Sequence, residues 1–129
     1  MSHEQGFLGF LLLTVLLLVA VAWTGLRAKR RLHIPLVLLT VASLGMAIRF
    51  ALKVGQHYDL KAAGAITPIH MFMARTATFA YLLPVVTGIL TLRQPRHRRL
   101  HGIVARVVIV LTLLATLTGA LMLWKAPRI

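Results

Sequence analysis

The sequence predicts an all-α integral membrane protein: an up-down four-helix bundle forming one domain over residues 1–129, with both termini on the outer, non-cytoplasmic side. Three observations predict it. Four apolar stretches recur along the chain, at about 7–26, 34–54, 66–92 and 103–124, each long enough to cross about 30 Å of hydrocarbon. Apolar residues make up 59% of the 129 residues, and mean hydropathy is +0.86, beyond an ordinary soluble domain of this size. Lys and Arg gather in two short clusters that both follow odd-numbered stretches, so the positive-inside rule puts both clusters on the cytoplasmic side.

The first stretch, Phe7 to Leu26, follows a short start that carries Glu4 but no basic flank. Nor does a small-residue cleavage site follow it, so it reads as a retained helix rather than a removed leader. Trp23, near its end, suits the head-group level. Arg27-Ala28-Lys29-Arg30-Arg31-Leu32-His33 is the first basic cluster. Pro35 then occupies a place expected to be the first turn of helix two, where proline is tolerated. Ala42, Ser43, Gly45 and Ala47 give this helix a small-residue patch for close contact. Arg49, Lys53 and His57 follow at steps of four, along one face.

Gly55 to Ala65 reads as a polar outer loop with His57, Tyr58, Asp59 and Lys61. The third stretch opens with Pro68-Ile69-His70-Met71-Phe72-Met73-Ala74-Arg75. Pro84 lies inside it and should kink the helix and free a carbonyl, with Thr87 and Gly88 easing the local packing. Arg93 to Gly102 is the second basic cluster and holds His97 and His101. The fourth stretch carries Arg106, then small residues at Ala115, Gly119 and Ala120, and leaves the membrane at Trp124 and Lys125. Short turns imply antiparallel neighbours.

Composition narrows the chemistry. With no cysteine, disulfides, thiolate metal sites and cysteine nucleophiles are excluded. The formal net charge of +13, from 15 Lys and Arg against 2 Asp and Glu, sits between apolar runs. It therefore fits the bilayer and its anionic lipid head groups, and no groove-reading module points to nucleic acid. Ser2 and Ser43 lie near no acid–base set, which argues against hydrolysis. Transport is disfavoured by the lack of broken-helix repeats and of an acidic coupling site.

Histidines sort by side. His33 and His101 open stretches two and four at the inner face; His57 closes stretch two and His70 opens stretch three at the outer face. His3 belongs to the free start, and His97 to a solvated basic turn, although it also competes with His101 as the inner ligand. Ionisable groups in lipid are costly and need partners, yet the only acids are Glu4 and Asp59. An anionic, metal-bearing cofactor answers that need. Haem iron accepts two axial imidazoles. His33 with His101, and His57 with His70, would hold one or two b-type haems, with Arg49 and Arg75 pairing to propionates. Arg75 sits about 7.5 Å deeper than His70 by helix rise, so a carbonyl freed by Pro84 or a partner subunit is an alternative contact for it. Met71 and Met73 read as packing.

The pattern Arg31-Leu32-His33, His57, His70, Arg96-His97-Arg98-Arg99-Leu100-His101 and Thr118-Gly119 resembles small four-helix bacterial membrane proteins linked to haem-copper oxidase maturation. The likeness covers about Arg30 to Trp124. In this chain Ile34-Pro35 follows His33, where that family tends to be polar. The order of histidines is also similar to transmembrane dihaem b-type cytochromes. Both resemblances imply haem handling at the faces of a bacterial inner membrane, by an electron carrier across or along the bilayer or a haem handler for a respiratory complex. Either is an electron-transfer protein more than a stand-alone enzyme, with a redox partner or larger membrane complex. The alternative is a non-catalytic accessory subunit of such a complex.

Overall fold

The computed structural model describes every residue from Met1 to Ile129. It is all-helical, and four helices are long and apolar enough to cross a membrane: His3–Leu26, Arg30–Gly55, Ile66–Arg93 and Pro95–Lys125. The chain divides into two compact units, Met1–Tyr58 and Asp59–Ile129. Each is an antiparallel helical hairpin closed by a basic turn.

The first hairpin pairs α1 (His3–Leu26) with α2 (Arg30–Gly55). A capping box starts α1. Ser2 Oγ accepts from the Gln5 N–H and Gln5 Oε1 accepts from the Ser2 N–H, both at 3.1 Å, which satisfies two orphan donors of the first turn. Glu4 adds a favourable charge at the positive end of the helix dipole. The helix stops in a Schellman turn: the Lys29 N–H reaches the Thr24 carbonyl at 2.9 Å and the Ala28 N–H reaches Gly25 at 3.2 Å. Ala28 takes the left-handed position with φ 55°, a place usually held by glycine. Lys29 folds back over the Trp23 ring at 4.6 Å.

Helix α2 begins at Arg30, earlier than the apolar run suggests. Pro35 therefore lies in the second turn, inside the helix, rather than in the first. Its missing N–H leaves the Arg31 carbonyl without its helical partner.

The second hairpin opens with Asp59, whose N–H binds the Pro127 carbonyl at 2.9 Å and ties the two ends of the unit together. The Asp59 carboxylate caps a single 3₁₀ turn, Leu60–Ala63, by accepting from the Ala62 N–H. Gly64, at φ 80°, turns the chain into α3 (Ile66–Ala80). The third pass breaks at Tyr81 and resumes as α4 (Leu82–Arg93). The cause is Pro84: it cannot donate to the Ala80 carbonyl and its ring crowds that same group. The Tyr81 hydroxyl bridges the break by donating to Thr112 Oγ1 at 2.8 Å. Thr112 has already given its own proton to Val108 O. After a 3₁₀ turn over Pro95–His97, α5 (Arg98–Lys125) returns.

Small hydroxyl residues share the buried seams with Leu18, Ala47, Val54, Ala77, Val108 and Met122, and the outside is apolar. Thr14, Thr24, Thr40, Ser43, Thr87 and Thr112 are buried, while Leu8, Leu12, Val19, Leu38, Phe72, Phe79 and Leu117 are more than half exposed. Water would penalise that surface; hydrocarbon does not. Helices in lipid associate through small residues and interhelical hydrogen bonds rather than through a hydrophobic drive.

Candidate functional site

One construction recurs three times. In the first hairpin, His33 is the fourth residue of α2 and lies against Thr24-Gly25 at the end of α1. Its Nδ1 is 3.1 Å from Thr24 Oγ1 and 3.1 Å from the Val21 carbonyl. In the second hairpin, His101 is the fourth residue of α5 and lies against Thr87-Gly88 in the middle of α4, with Nδ1 3.0 Å from Thr87 Oγ1. At the other end of that hairpin, His70 on α3 lies against Thr118-Gly119 of α5, with Nδ1 3.1 Å from Thr118 Oγ1.

The proton on each ring follows from donor counting. Every one of these threonines hydrogen-bonds back to carbonyls of its own helix: Thr24 to Ala20 at 2.9 Å, Thr87 to Leu83 at 2.8 Å and Thr118 to Leu114 at 2.8 Å. A hydroxyl has one proton. With that proton spent on a carbonyl, Thr Oγ1 can only accept, so His Nδ1 donates and Nε2 carries the lone pair. Fixing one ring nitrogen in this way selects the other as a metal ligand.

The glycines supply clearance. A Cβ on Gly25, Gly88 or Gly119 would stand 3.1, 3.3 or 2.8 Å from Cε1 of His33, His101 or His70, and 4.0, 3.9 or 3.4 Å from Nε2. At Gly119 something must shift to admit a methyl, and at Gly25 and Gly88 the ring would have to give by a few tenths of an ångström.

The fourth expected ligand is held differently. His57 is exposed, two residues past the end of α2. Its Nδ1 donates to the Lys53 carbonyl of its own chain at 2.9 Å, so the tautomer is the same but no second helix fixes the ring. The matching glycine of α1, Gly6, is covered by Phe50. His97 differs again: it is bound through Nε2 to Gln94 Oε1 at 3.2 Å, in the orientation opposite to the other four. His3 has ring contacts only, to Phe50 at 6.2 Å and to His57 at 6.3 Å.

Arg49 and Arg75 lie on the outer faces of their helices. Both side chains are exposed on the flanks of their hairpins, and neither makes a hydrogen bond or ion pair within the chain. Helical geometry explains it: Ala47 and Ala77, two residues away, are buried in the seams, and two residues turn a helix by about 200°. Arg75 consequently does not meet a carbonyl freed by Pro84.

The threonine–glycine seats had a signal in the sequence. Arg-Arg-Leu-His occurs twice, at 30–33 and 98–101, each preceded by a Thr-Gly. The repetition marks His101, not His97, as the counterpart of His33. No three His, Asp or Glu side chains gather into a chelating cluster, so a bare ion would lack ligands. An iron already held by a porphyrin needs only axial ones. No family model, characterised protein or solved structure matches the chain.

Proposed function

We propose that this chain is a multi-pass membrane haem protein that moves electrons across or along the bilayer, or handles haem for a respiratory complex. His33, His57, His70 and His101 would be its axial ligands, and Arg49 and Arg75 its contacts for propionates. The observation that carries the reading is the shared ring geometry: Nδ1 of each of these four histidines lies 2.9–3.1 Å from an oxygen, and donor counting then leaves Nε2 as the nitrogen that can ligate. Bound haem b would supply a one-electron iron couple. The protein's part is to hold the rings, fix their tautomer and exclude water. Exposed, unpaired guanidinium groups suit an anionic propionate, since Arg pairs with carboxylates in two parallel bonds.

The topology proper to this reading has four passes running alternately up and down, with basic turns on the cytoplasmic side of a bacterial inner membrane and both termini outside. The resemblance to haem-handling membrane proteins points the same way. The test is a visible spectrum and a pyridine haemochrome assay on protein purified with haem in excess. A Soret band lost on changing His33, His70 or His101 to Ala, and kept in H97A and H3A, is the expected result; no Soret band ends the reading.

A second reading has its own observation. Arg49 and Arg75 are exposed within lipid-spanning helices and lack a partner, as expected of an accessory subunit that meets acids on a larger complex. Stable co-purification with such a complex, in a chain that takes up no haem, would favour it.

A further inference from the structure

The first hairpin carries a groove that its histidine seat does not use. It runs between α1 and α2 and has a volume of about 280 Å³. Phe10, Leu13 and Leu17 line it from α1, and Leu39, Ala42 and Met46 from α2. Leu13 and Leu39 are 44% and 57% exposed, so the groove opens away from the seam. The hydroxyl in its floor, that of Ser43, is engaged with Thr14 Oγ1 at 2.8 Å. An occupant therefore meets hydrocarbon.

The groove has a direction. Leu17 and Leu39 stand nearest the basic turn; Phe10 and Met46 stand farthest from it. At the far end Phe10 stacks on Phe50, with ring centroids 5.7 Å apart. By helix rise, Leu39 lies about 12 Å and Met46 about 22 Å along α2 from Arg31. Arg31 and Ala42 are eleven positions apart, about three full turns, so they share one line of the helix. Arg27, Arg30 and Arg31 are exposed, and their guanidinium groups make no hydrogen bond or ion pair within the chain. Each head-group layer of a bilayer is about 5–7 Å thick and each leaflet fills about 15 Å of hydrocarbon. With the turn at head-group level, the groove spans the depth of the tails of that one leaflet and stops near the midplane.

We propose that this groove holds one acyl tail of an anionic phospholipid whose phosphate is bound by the basic turn of the first hairpin. Charge, length and width select that occupant. Three unpaired arginines meet an anionic head group, and the groove below Arg31 lies where a tail hanging from that head group runs. A transmembrane helix does not fit. One turn of helix, about 10 Å across and about 5.4 Å long, already exceeds the volume. A helix also needs a face that continues through both leaflets, and this groove ends at the Phe10–Phe50 pair. The lipid site needs no cofactor and stands apart from the haem reading.

The experiment uses the full chain in phosphatidylcholine vesicles doped with phosphatidylglycerol that carries a photoreactive diazirine near the end of one tail. Irradiation and peptide mapping by mass spectrometry should place adducts on residues 10–17 and 39–46 ahead of the exposed Phe72 and Leu117. Excess unlabelled phosphatidylglycerol should suppress those adducts, and excess phosphatidylcholine should not. R31Q should weaken the labelling about fivefold, the effect of one basic residue at a membrane surface. A42W fills the groove from an exposed position and should abolish the groove adducts, with helical circular dichroism as the check on folding. Adducts spread evenly over the lipid-facing residues overturn the proposal. So does phosphatidylcholine that competes as well as phosphatidylglycerol, or a folded A42W that keeps the groove adducts. Crosslinked dimers in place of lipid adducts would give the groove to a second copy of the chain and overturn it too. If A42W does not fold, the wild-type map and its competition decide alone.

Discussion

Nδ1 of His70 stands 3.1 Å from Oγ1 of Thr118, across the second hairpin from α3 to α5. Because Thr118 gives its own proton to Leu114 at 2.8 Å, the imidazole must donate. Valine at 118 keeps the shape and removes the acceptor; serine keeps the acceptor. T118V is expected to weaken haem binding about tenfold or more and to shift the midpoint potential, while T118S restores both. Haem titration and a spectroelectrochemical measurement check this. A threonine that merely packs would leave the potential unmoved.

The glycines beside the rings give a graded series. The added methyl of G119A would lie 2.8 Å from His70 Cε1, that of G25A 3.1 Å from His33 Cε1, and that of G88A 3.3 Å from His101 Cε1. Overpacking typically costs about 1–3 kcal/mol, and the first contact is too short without movement of the ring. The expected order of damage is G119A, then G25A, then G88A, in both haem content and thermal unfolding in detergent. G9A and G45A are the controls, since a Cβ at either meets nothing within 4 Å.

The turn between α1 and α2 makes a prediction independent of any cofactor. Ala28 sits at φ 55°, where an L side chain costs roughly 1–2 kcal/mol and glycine costs none. The Schellman bonds from Lys29 to Thr24 and from Ala28 to Gly25 need only backbone, so A28G keeps them. It is expected to stabilise the first hairpin by about 1 kcal/mol, read as a raised unfolding midpoint. A lowered midpoint would mean that the turn forms differently.

What the sequence announced, and what it did not, follows from range. Four apolar stretches and the break near Pro84 are local signals, and α1, α2, α5 and the α3–α4 break lie where those signals put them. Helix starts are less legible: Arg30 and Arg98 begin helices although polar, because a membrane helix continues past the hydrocarbon until its turn geometry stops it. This is why Pro35 ends up in the second turn. The pairing of His70 with Thr118, 48 positions apart, is carried by no local pattern. Thr24-Gly25 likewise reads as an ordinary helix end until His33 is seen against it. The flanks that carry Arg49 and Arg75 are illegible for a simpler reason. An apolar stretch says that a cation is in the membrane, and not which flank of the helix bears it.

In the first hairpin the seam is locked by a pair of hydroxyls. Thr14 Oγ1 gives its proton to the Phe10 carbonyl at 2.7 Å and accepts from Ser43 Oγ at 2.8 Å. Ser43 has a second acceptor within reach, Phe10 O at 3.2 Å. Removing Thr14 thus leaves Ser43 a fallback, while removing Ser43 leaves Thr14 still bonded to its own helix. Neither change strands a buried donor, the costly outcome. Interhelical hydrogen bonds in membranes average about 0.6 kcal/mol by double-mutant cycles, and this pair should sit near that figure. T14V and S43A are each expected to lower stability modestly, with a coupling of about 0.5–1 kcal/mol between them in a cycle measured by unfolding in mixed detergent. A coupling above about 2 kcal/mol would mean that Phe10 O does not serve Ser43 when Thr14 is gone, and that the two helices meet through this one contact far more than through the buried small residues elsewhere along the seam, such as Ala47.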